Sequence, residues 1–248
     1  MIHSKFQTKI GNVLVKQLLV VLALTLLGVS VLSAQQTQQP PTTRQTPVPP
    51  AQQPQTQQAQ TQQAPRPDAL QLWRQGRFQD AVNVTLQELR ENPRNMDSYT
   101  VLGWSLLDMG RWAEARDYAQ QAMQVSRFDY RIIGIMAQAL FNLNQNAQAL
   151  QYLREYVQLQ PTGARIDQMY FIMGEVYIRL GEFNRADIAL TTAVHHNPRN
   201  AQWWARLGFA REQVQNFPAA RTAYQQALNI QPGLAAAQQG LTRVQARL

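Results

Sequence analysis

The sequence predicts an all-α solenoid of helix-turn-helix repeats, and three observations support this fold class. Turn-plus-aromatic segments recur in phase from Asp68 onward, and prolines follow at nearly the same interval. Two stretches of helical apolar periodicity flank each turn, as expected for two amphipathic helices. Small residues recur at fixed places where such helices must approach closely. No single unit of this kind can bury its own apolar face, so stacking of neighbouring units supplies the core.

The N-terminus has the form of a secretory signal peptide over residues 1–34. Met1 to Lys16 carries three lysines and no acid, and residues 18–34 contain no charge. A basic start, an apolar run and a small residue at Ala34 are typical of such a signal. Because the run also reaches the lower limit for a spanning helix, a retained membrane anchor is the alternative. In either case the lysines direct the following chain across the membrane, which predicts an exported protein.

Residues 35–67 are predicted to be a disordered linker rich in Gln, Pro and Thr. Thirty of these 33 residues are Gln, Pro, Thr or Ala, and Val48 is the one large aliphatic side chain. Such a segment has no apolar surface to offset the entropy of ordering. As a coil it would span roughly 30 Å, and about 100 Å if its prolines hold it extended. It is either a spacer above a membrane or a tail that follows the signal.

The repeat body is predicted to contain about five units over residues 68–234. The position after each turn holds, in order, Phe78, Trp112, Asn146, Phe183 and Phe217. Successive positions are 34, 34, 37 and 34 residues apart, so three extra residues lie at about 164–166. The predicted units are 68–95 (partial), 96–129, 130–163, 167–200 and 201–234.

This pattern resembles the tetratricopeptide repeat family. The last full unit has the family's residue types at Trp204, Leu207, Gly208, Phe217, Ala220, Tyr224, Ala227 and Pro232. The fourth unit repeats them at Tyr170, Met173, Gly174, Tyr177, Phe183, Ala186, Leu190, Ala193 and Pro198. The third unit departs at Asn146 and Tyr156, where the family has an aromatic and a small residue. The resemblance covers about 180 residues and implies a right-handed superhelix of stacked units, in an exported bacterial protein.

Two further expectations concern packing. Residues 235–248 are predicted to form a capping helix whose apolar face carries Leu241, Val244 and Leu248. Trp204 holds the large-residue position of its unit and is predicted to be core. The adjacent Trp203 points elsewhere on the helix and is predicted to be an exposed contact.

The composition excludes several kinds of chemistry. The chain has no cysteine, which removes disulfides, thiolate catalysis, cysteine-ligated zinc and the lipid-bearing cysteine of a lipoprotein. His195 and His196 are adjacent on a predicted helix and point about 100° apart, so they cannot easily share a metal. Protonated histidine at a helix C-terminus suits the helix dipole instead. We therefore predict no enzyme activity, no cofactor and no metal site.

The resemblance implies a concave groove lined by the first helix of each unit. Carried over residue by residue, the predicted partner-binding positions are Trp104, Asp108, Arg131, Gln138, Phe141, Asn142, Phe171, Glu175, Arg179, Arg206 and Phe209. Aromatic anchors among a few charges suit an extended or helical peptide whose register the charges set. The alternative is that these aromatics are ordinary core between helices. The family's clamp for chaperone C-terminal carboxylates is not predicted, because its positions hold Thr100, Gly134, Phe171 and Ala205 and the repeats contain no lysine.

The net charge of +8 is mostly not a property of the repeats. Three of the charges are lysines of the signal segment, and two are Arg44 and Arg66 in the linker. The remaining 18 arginines face 15 acids and are spread along the units, a surplus of three. This distribution argues against nucleic-acid binding.

The predicted function is a non-enzymatic scaffold that binds a protein partner in a bacterial cell envelope, for assembly, secretion or organisation. One alternative is a membrane-anchored periplasmic assembly or chaperone-associated factor, tethered through residues 18–34. A lesser alternative is binding of an anionic polymer or membrane surface by the arginines. The sequence leaves the partner and the oligomeric state open.

Overall fold

The computed structural model describes residues 67–248. The predicted signal segment 1–34 and linker residues 35–66 lie outside the described residues. The described part contains eleven helices: α1 (Ala69–Arg74), α2 (Phe78–Glu91), α3 (Met96–Asp108), α4 (Trp112–Val125), α5 (Tyr130–Asn142), α6 (Asn146–Leu159), α7 (Ile166–Arg179), α8 (Phe183–His196), α9 (Ala201–Gln213), α10 (Phe217–Ile230) and α11 (Ala235–Gln245). Within residues 67–248 no helix combines the length and apolarity needed to cross a membrane.

The helices form consecutive antiparallel pairs that stack into a solenoid. The first helix of each pair (α1, α3, α5, α7 and α9) contacts the first helix of the next pair, and α9 also contacts α11. The second helices (α2, α4, α6, α8 and α10) contact only the helices next to them in the chain. Because the first helices of successive pairs touch and the second helices do not, the first helices line the inner surface of the solenoid. The predicted fold class is confirmed.

Each turn between the two helices of a pair contains one residue in the left-handed region. Gly76, Gly110 and Gly181 occupy this position with φ of 74°, 72° and 73°. Glycine suits it because a Cβ would clash with the following carbonyl. In the other two pairs Asn144 and Gln215 adopt the same conformation, with φ of 58° and 60°. The left-handed turn therefore recurs in all five pairs, although the glycine does not.

Side chains define where most first helices begin. Asp68, Asn95, Asp129 and Asn200 each accept a hydrogen bond from a backbone N–H of the first turn of α1, α3, α5 and α9. These bonds satisfy donors that have no partner within the helix. The helix α7 has Arg165 at its N-cap position, and no side chain caps its first turn.

The core forms where a small residue of one helix meets a large side chain of another. Ala115, Ala149, Ala186 and Ala220 are fully buried in the second helices. A Cβ added at Gly174 would lie 2.5 Å from Cγ of Leu190, and one at Gly208 would lie 2.7 Å from Cδ1 of Tyr224. The glycines of these two pairs are thus required for close packing of their helices.

The helix α11 caps the solenoid through Tyr224. The ring of Tyr224 is wedged between Gly208 and Gly240, where an added Cβ would overlap it on either side. Its hydroxyl donates to Glu212 Oε2 at 2.7 Å, and Arg243 of α11 donates to both oxygens of Glu212 at 2.7 and 2.9 Å. Burial raises the pKa of Tyr224, and the Arg243 hydrogen bond lowers that of Glu212. At neutral pH the protonated hydroxyl of Tyr224 therefore donates to the ionised carboxylate of Glu212.

One expectation for the cap is wrong. Val244 is fully buried and Leu241 is partly buried, as the predicted apolar face requires. Leu248 remains 59% exposed because α11 ends at Gln245 and the last residues leave the helical register.

Candidate protein-binding groove

The predicted groove positions all lie on first helices of the solenoid. Nine of them are half-buried: Trp104, Arg131, Gln138, Phe141, Asn142, Phe171, Glu175, Arg206 and Phe209. Asp108 and Arg179 are exposed. Of the positions that correspond to the chaperone-tail clamp, Thr100, Gly134 and Ala205 are buried. The inner surface thus presents partly accessible aromatic, amide and charged side chains.

Several charged groove residues form hydrogen bonds across neighbouring units. Arg131 on α5 donates to Asp97 on α3 at 2.6 Å, and Arg206 on α9 donates to both oxygens of Glu175 on α7 at 2.6 and 2.9 Å. Asp108 accepts a hydrogen bond of 2.7 Å from the indole of Trp73. These side chains therefore link consecutive units. They can bind a partner protein only if they exchange or share the hydrogen bonds that they now make.

Arg131 is the most strongly held of these cations. Besides Asp97 it binds Asp129, the capping residue of its own helix, through its Nε at 3.1 Å and its Nη2 at 2.7 Å. The hydrogen bonds to Asp129 raise the pKa of Arg131. Burial opposes ionisation of Asp129, but the hydrogen bonds from Arg131 outweigh it and lower the pKa of Asp129. The ion pair with Asp129 thus holds the Arg131 side chain at the start of α5, and the ion pair with Asp97 joins it to α3.

Arg179 is held by an aromatic ring and a carbonyl oxygen. Its guanidinium lies 3.8 Å from the centre of the Phe141 ring and donates to the Phe141 carbonyl at 2.7 Å. The carbonyl lies in the last turn of α5, where backbone acceptors lack partners within the helix. Arg179 therefore joins the ends of α5 and α7 on the groove side.

The aromatic groove residues form contacts between units. Trp104 lies 5.1 Å from the ring of Trp73, and Phe171 stacks on Trp203 with centroids 4.9 Å apart and planes 10° apart. The prediction for Trp203 is wrong, since Trp203 is only 9% exposed while Trp204 is half-buried. Stacking on Phe171 turns Trp203 toward the neighbouring unit, and no property of the Trp203-Trp204 pair itself signals this direction.

A cavity of about 520 Å³ opens on the inner surface between α5 and α7. Four predicted groove residues line it, namely Gln138, Phe141, Asn142 and Phe171. The other lining residues are Arg165, Asp167, Gln168, Ile172, Asn197 and Trp203. The wall thus combines aromatic faces with four side-chain amides, which can donate to and accept from a peptide backbone.

The three extra residues are in contact with Tyr156, which is itself a departure from the repeat pattern in the third unit. Tyr156 stands where the other regular units have alanine, and its ring packs against Gly134, whose added Cβ would lie 3.0 Å from Cε2 of Tyr156. The Tyr156 hydroxyl donates to the carbonyl of Ala164 at 2.8 Å. Burial raises the pKa of Tyr156, which keeps this donor protonated. The large side chain therefore holds the longer loop before α7 in place.

Sequence reasoning missed Arg165 and Asn197, because both lie outside the helices that carry the family's groove positions. The signal that could have found Arg165 is the break in the 34-residue interval, which marks the loop that places it. Its guanidinium lies 5.2 Å from the centre of the Trp104 ring.

Within residues 67–248 no group of three or more His, Asp or Glu side chains is arranged to hold a metal ion. His195 and His196 are exposed at the end of α8, and the ring of His196 stacks on Tyr170 at 6.3 Å. The sequence-based interpretation of this pair as a feature of the helix end agrees with that position.

Two curated proteins share part of this chain. A Drosophila melanogaster homologue of the BBSome complex member BBS4 is 24% identical over 136 residues, which are 52% of this chain and 28% of that protein. ETO1-like protein 2 of Arabidopsis thaliana is 30% identical over 116 residues, which are 45% of this chain and 12% of that protein. The chain thus spans less than a third of either relative.

Solved structures share the fold. MamA is 19% identical with a TM-score of 0.59, and the match covers 68% of this chain and 97% of that one. YrrB, a repeat protein with an unusual peptide-binding site, is 19% identical with a TM-score of 0.59 and coverages of 70% and 88%. The Cut9–Hcn1 hetero-tetramer of the APC/C matches with 17% identity, a TM-score of 0.63 and coverages of 71% and 34%. At these identities the likeness shows the fold alone.

The sequence itself matches one family over most of the described residues. The sequence model of the tetratricopeptide repeat matches residues 69–129, 102–164 and 173–240. Those ranges together include nine of the ten paired helices in full, and they include the second half of α7. The chain belongs to the tetratricopeptide repeat family.

Proposed function

We propose that this protein is a non-enzymatic scaffold of a bacterial cell envelope that binds an extended or helical segment of a partner protein in its inner groove. Proteins of this family are generally interaction scaffolds. The observation that carries the proposal is the cavity between α5 and α7, where aromatic walls and four amides meet on the inner surface. Aromatic faces suit an apolar anchor of the partner, and amides suit its backbone.

The charge pattern supports a peptide over an anionic polymer as the ligand. Within residues 67–248, nine arginines already form ion pairs with carboxylates, including Arg131 and Arg206 in the groove. A polyanion binds by replacing many small counterions with protein cations, which requires cations that are free to do so. Paired arginines contribute little to such binding.

The envelope location rests on the predicted signal over residues 1–34 and the linker over residues 35–67. A signal of this form sends a chain across the cytoplasmic membrane, and a linker of about 33 residues would hold the repeats away from the membrane if the signal is retained. The processes that fit an exported scaffold are envelope assembly, secretion or organisation.

A matched pair of variants tests the groove. Gln168→Arg places a long cation in the cavity, whereas Gln148→Arg makes the same change at an exposed position of α6, a second helix. The full chain and both variants are immobilised and cross-linked to detergent-solubilised envelope proteins, and the bound proteins are quantified by mass spectrometry. We expect Gln148→Arg to recover the wild-type set and Gln168→Arg to lose its main partner at least tenfold, because the anchor cannot enter.

Equal recovery by wild type and Gln168→Arg would contradict the groove proposal. Circular dichroism of both variants is the control for folding. Substituting the groove aromatics is less suitable, since Phe171 stacks on the buried Trp203 and its removal would also disturb the packing of α7 against α9.

A further inference from the structure

Arg165 is a groove cation that the repeat pattern does not supply. It lies in the loop between α6 and α7, at the three extra residues that lengthen one interval to 37. Its side chain is exposed, lines the cavity together with Phe171 and Gln138, and extends over the ring of Trp104 on α3. The loop therefore delivers a guanidinium to the inner surface from outside the first helices.

The loop holds Arg165 in a backbone conformation that is unfavourable for residues other than glycine. Its φ is 69°, in the left-handed region that residues other than glycine rarely adopt. The hydroxyl of Tyr156 fixes the preceding residue by donating to the Ala164 carbonyl at 2.8 Å. The contact with Trp104 then orients the guanidinium over the groove. The position of this cation is thus determined by the hydrogen bond to the backbone just before Arg165 and by the contact of its guanidinium with Trp104.

The charge of Arg165 is not neutralised by the described part of the chain. Arg131 and Arg206 form ion pairs with carboxylates, whereas within residues 67–248 no carboxylate lies within 4 Å of the Arg165 nitrogens. Asp167, which lines the same cavity, accepts a hydrogen bond of 3.2 Å from the amide of Asn197. The forked N–H donors of a guanidinium suit the two oxygens of a carboxylate.

The groove continues on both sides of this cation. Trp104 lies toward the N-terminal units, and the stacked pair of Phe171 and Trp203 lies toward the C-terminal ones. A peptide bound across the cavity therefore extends past Arg165 in both directions. This placement suits a side-chain carboxylate within a segment better than a carboxylate at its end.

We propose that Arg165 binds the carboxylate of an Asp or Glu side chain inside an extended peptide, while a neighbouring apolar side chain of that peptide enters the cavity against Phe171. The inference rests on the proposed function and specifies the partner's chemistry. It also differs from the family's clamp for terminal carboxylates, whose positions here hold residues such as Thr100 and Ala205.

A phage-displayed library of random 12-residue peptides, fused to the coat protein through their C-termini, tests this assignment. The library is selected on the full wild-type chain, on Arg165→Ala and on Arg221→Ala, a control at an exposed arginine of α10. We expect peptides from wild type and Arg221→Ala to contain an internal acid beside an apolar residue, and peptides from Arg165→Ala to lose the acid. Synthetic wild-type-selected peptides, amidated at the C-terminus, should bind Arg165→Ala about tenfold more weakly, since one charge-assisted contact is lost.

The outcomes separate the two proposals. Suppose that the wild-type chain selects peptides that Gln168→Arg fails to bind. If these peptides contain no acid, or bind Arg165→Ala as tightly as wild type, the proposed role of Arg165 is wrong and the groove proposal stands. The same peptides are also synthesised with a free C-terminus, and binding that requires this free carboxylate would overturn the side-chain assignment. If no peptide is enriched on the wild-type chain, the proposed function fails and this inference fails with it. Arg165→Lys, which keeps the charge but not the forked donors, should retain part of the acid preference.

Discussion

Replacing Tyr224 by alanine is expected to open the C-terminal end of the solenoid at a cost of about 3–5 kcal/mol, the range for deleting a buried aromatic ring. Tyr224 is 1% exposed, and its ring fills the space between Gly208 of α9 and Gly240 of α11. Deletion also removes the hydrogen bond to Glu212.

The loss should be local, because each unit of a repeat protein is stabilised by its neighbours alone. Hydrogen exchange followed by mass spectrometry should show lost protection over residues 201–245 and retained protection over α3 to α6. Tyr224→Phe, which keeps the ring, should cost about 1 kcal/mol, and Phe128→Ala, at a site 72% exposed, should cost less than about 0.5 kcal/mol. Uniform loss of protection along the chain, or an effect of Tyr224→Ala below that of Tyr224→Phe, would contradict this description of the cap.

Replacing Leu190 by alanine is expected to lower the free energy of unfolding by about 2–5 kcal/mol. Leu190 is fully buried in α8, and its Cγ would lie 2.5 Å from a Cβ added at Gly174. The opposite change, Gly174→Ala, should cost about 1–3 kcal/mol through overpacking, partly offset by the better helix propensity of alanine. Urea unfolding of the full chain measures both.

The double variant tests whether these two effects share one contact. In Gly174→Ala/Leu190→Ala the new methyl group enters space that the leucine has left, so the combined cost should be smaller than the sum by about 1 kcal/mol or more. The pair Gly134→Ala and Leu190→Ala lies in different units and should be additive within about 0.5 kcal/mol. Additive costs for the contacting pair would mean that Gly174 does not set the spacing between α7 and α8.

The repeat could be predicted from the sequence because every stacked unit needs turn residues and small residues at the same positions. The turn residues Gly76, Gly110 and Gly181 and the buried alanines of the second helices follow directly from close packing at a fixed interval. Asn144 and Gln215 show that the backbone conformation persists where the glycine is lost, because the surrounding helices impose it.

The groove was harder to predict than the fold. Family positions placed Phe171 and Gln138 on the inner surface, but they could not show that the groove charges bind one another across units, since such contacts depend on distances between helices. Trp203 was assigned to the wrong environment because its direction is set by Phe171, 32 residues earlier in the sequence. Arg165 was missed because insertions fall outside any repeat pattern.

Two departures from the pattern in the third unit proved to be related. Tyr156 appeared as a misfit at a position for small residues, and the extra residues near 164–166 appeared as a separate irregularity. In the structure Gly134 makes room for Tyr156, and Tyr156 holds the lengthened loop through the Ala164 carbonyl. A sequence argument that treats each position alone cannot find such compensation.

The most direct test of the central claim is hydroxyl-radical footprinting of the full chain with and without the partner recovered from the envelope. Trp104, Phe141 and Phe171 are half-buried on the inner surface, whereas Tyr118 and Tyr152 are half-buried on the second helices α4 and α6. Binding in the groove predicts that the partner protects the first three side chains from oxidation and leaves the two tyrosines unchanged. Protection of Tyr118 and Tyr152 with unchanged oxidation of Trp104, Phe141 and Phe171 would place the partner on the second helices and contradict the account.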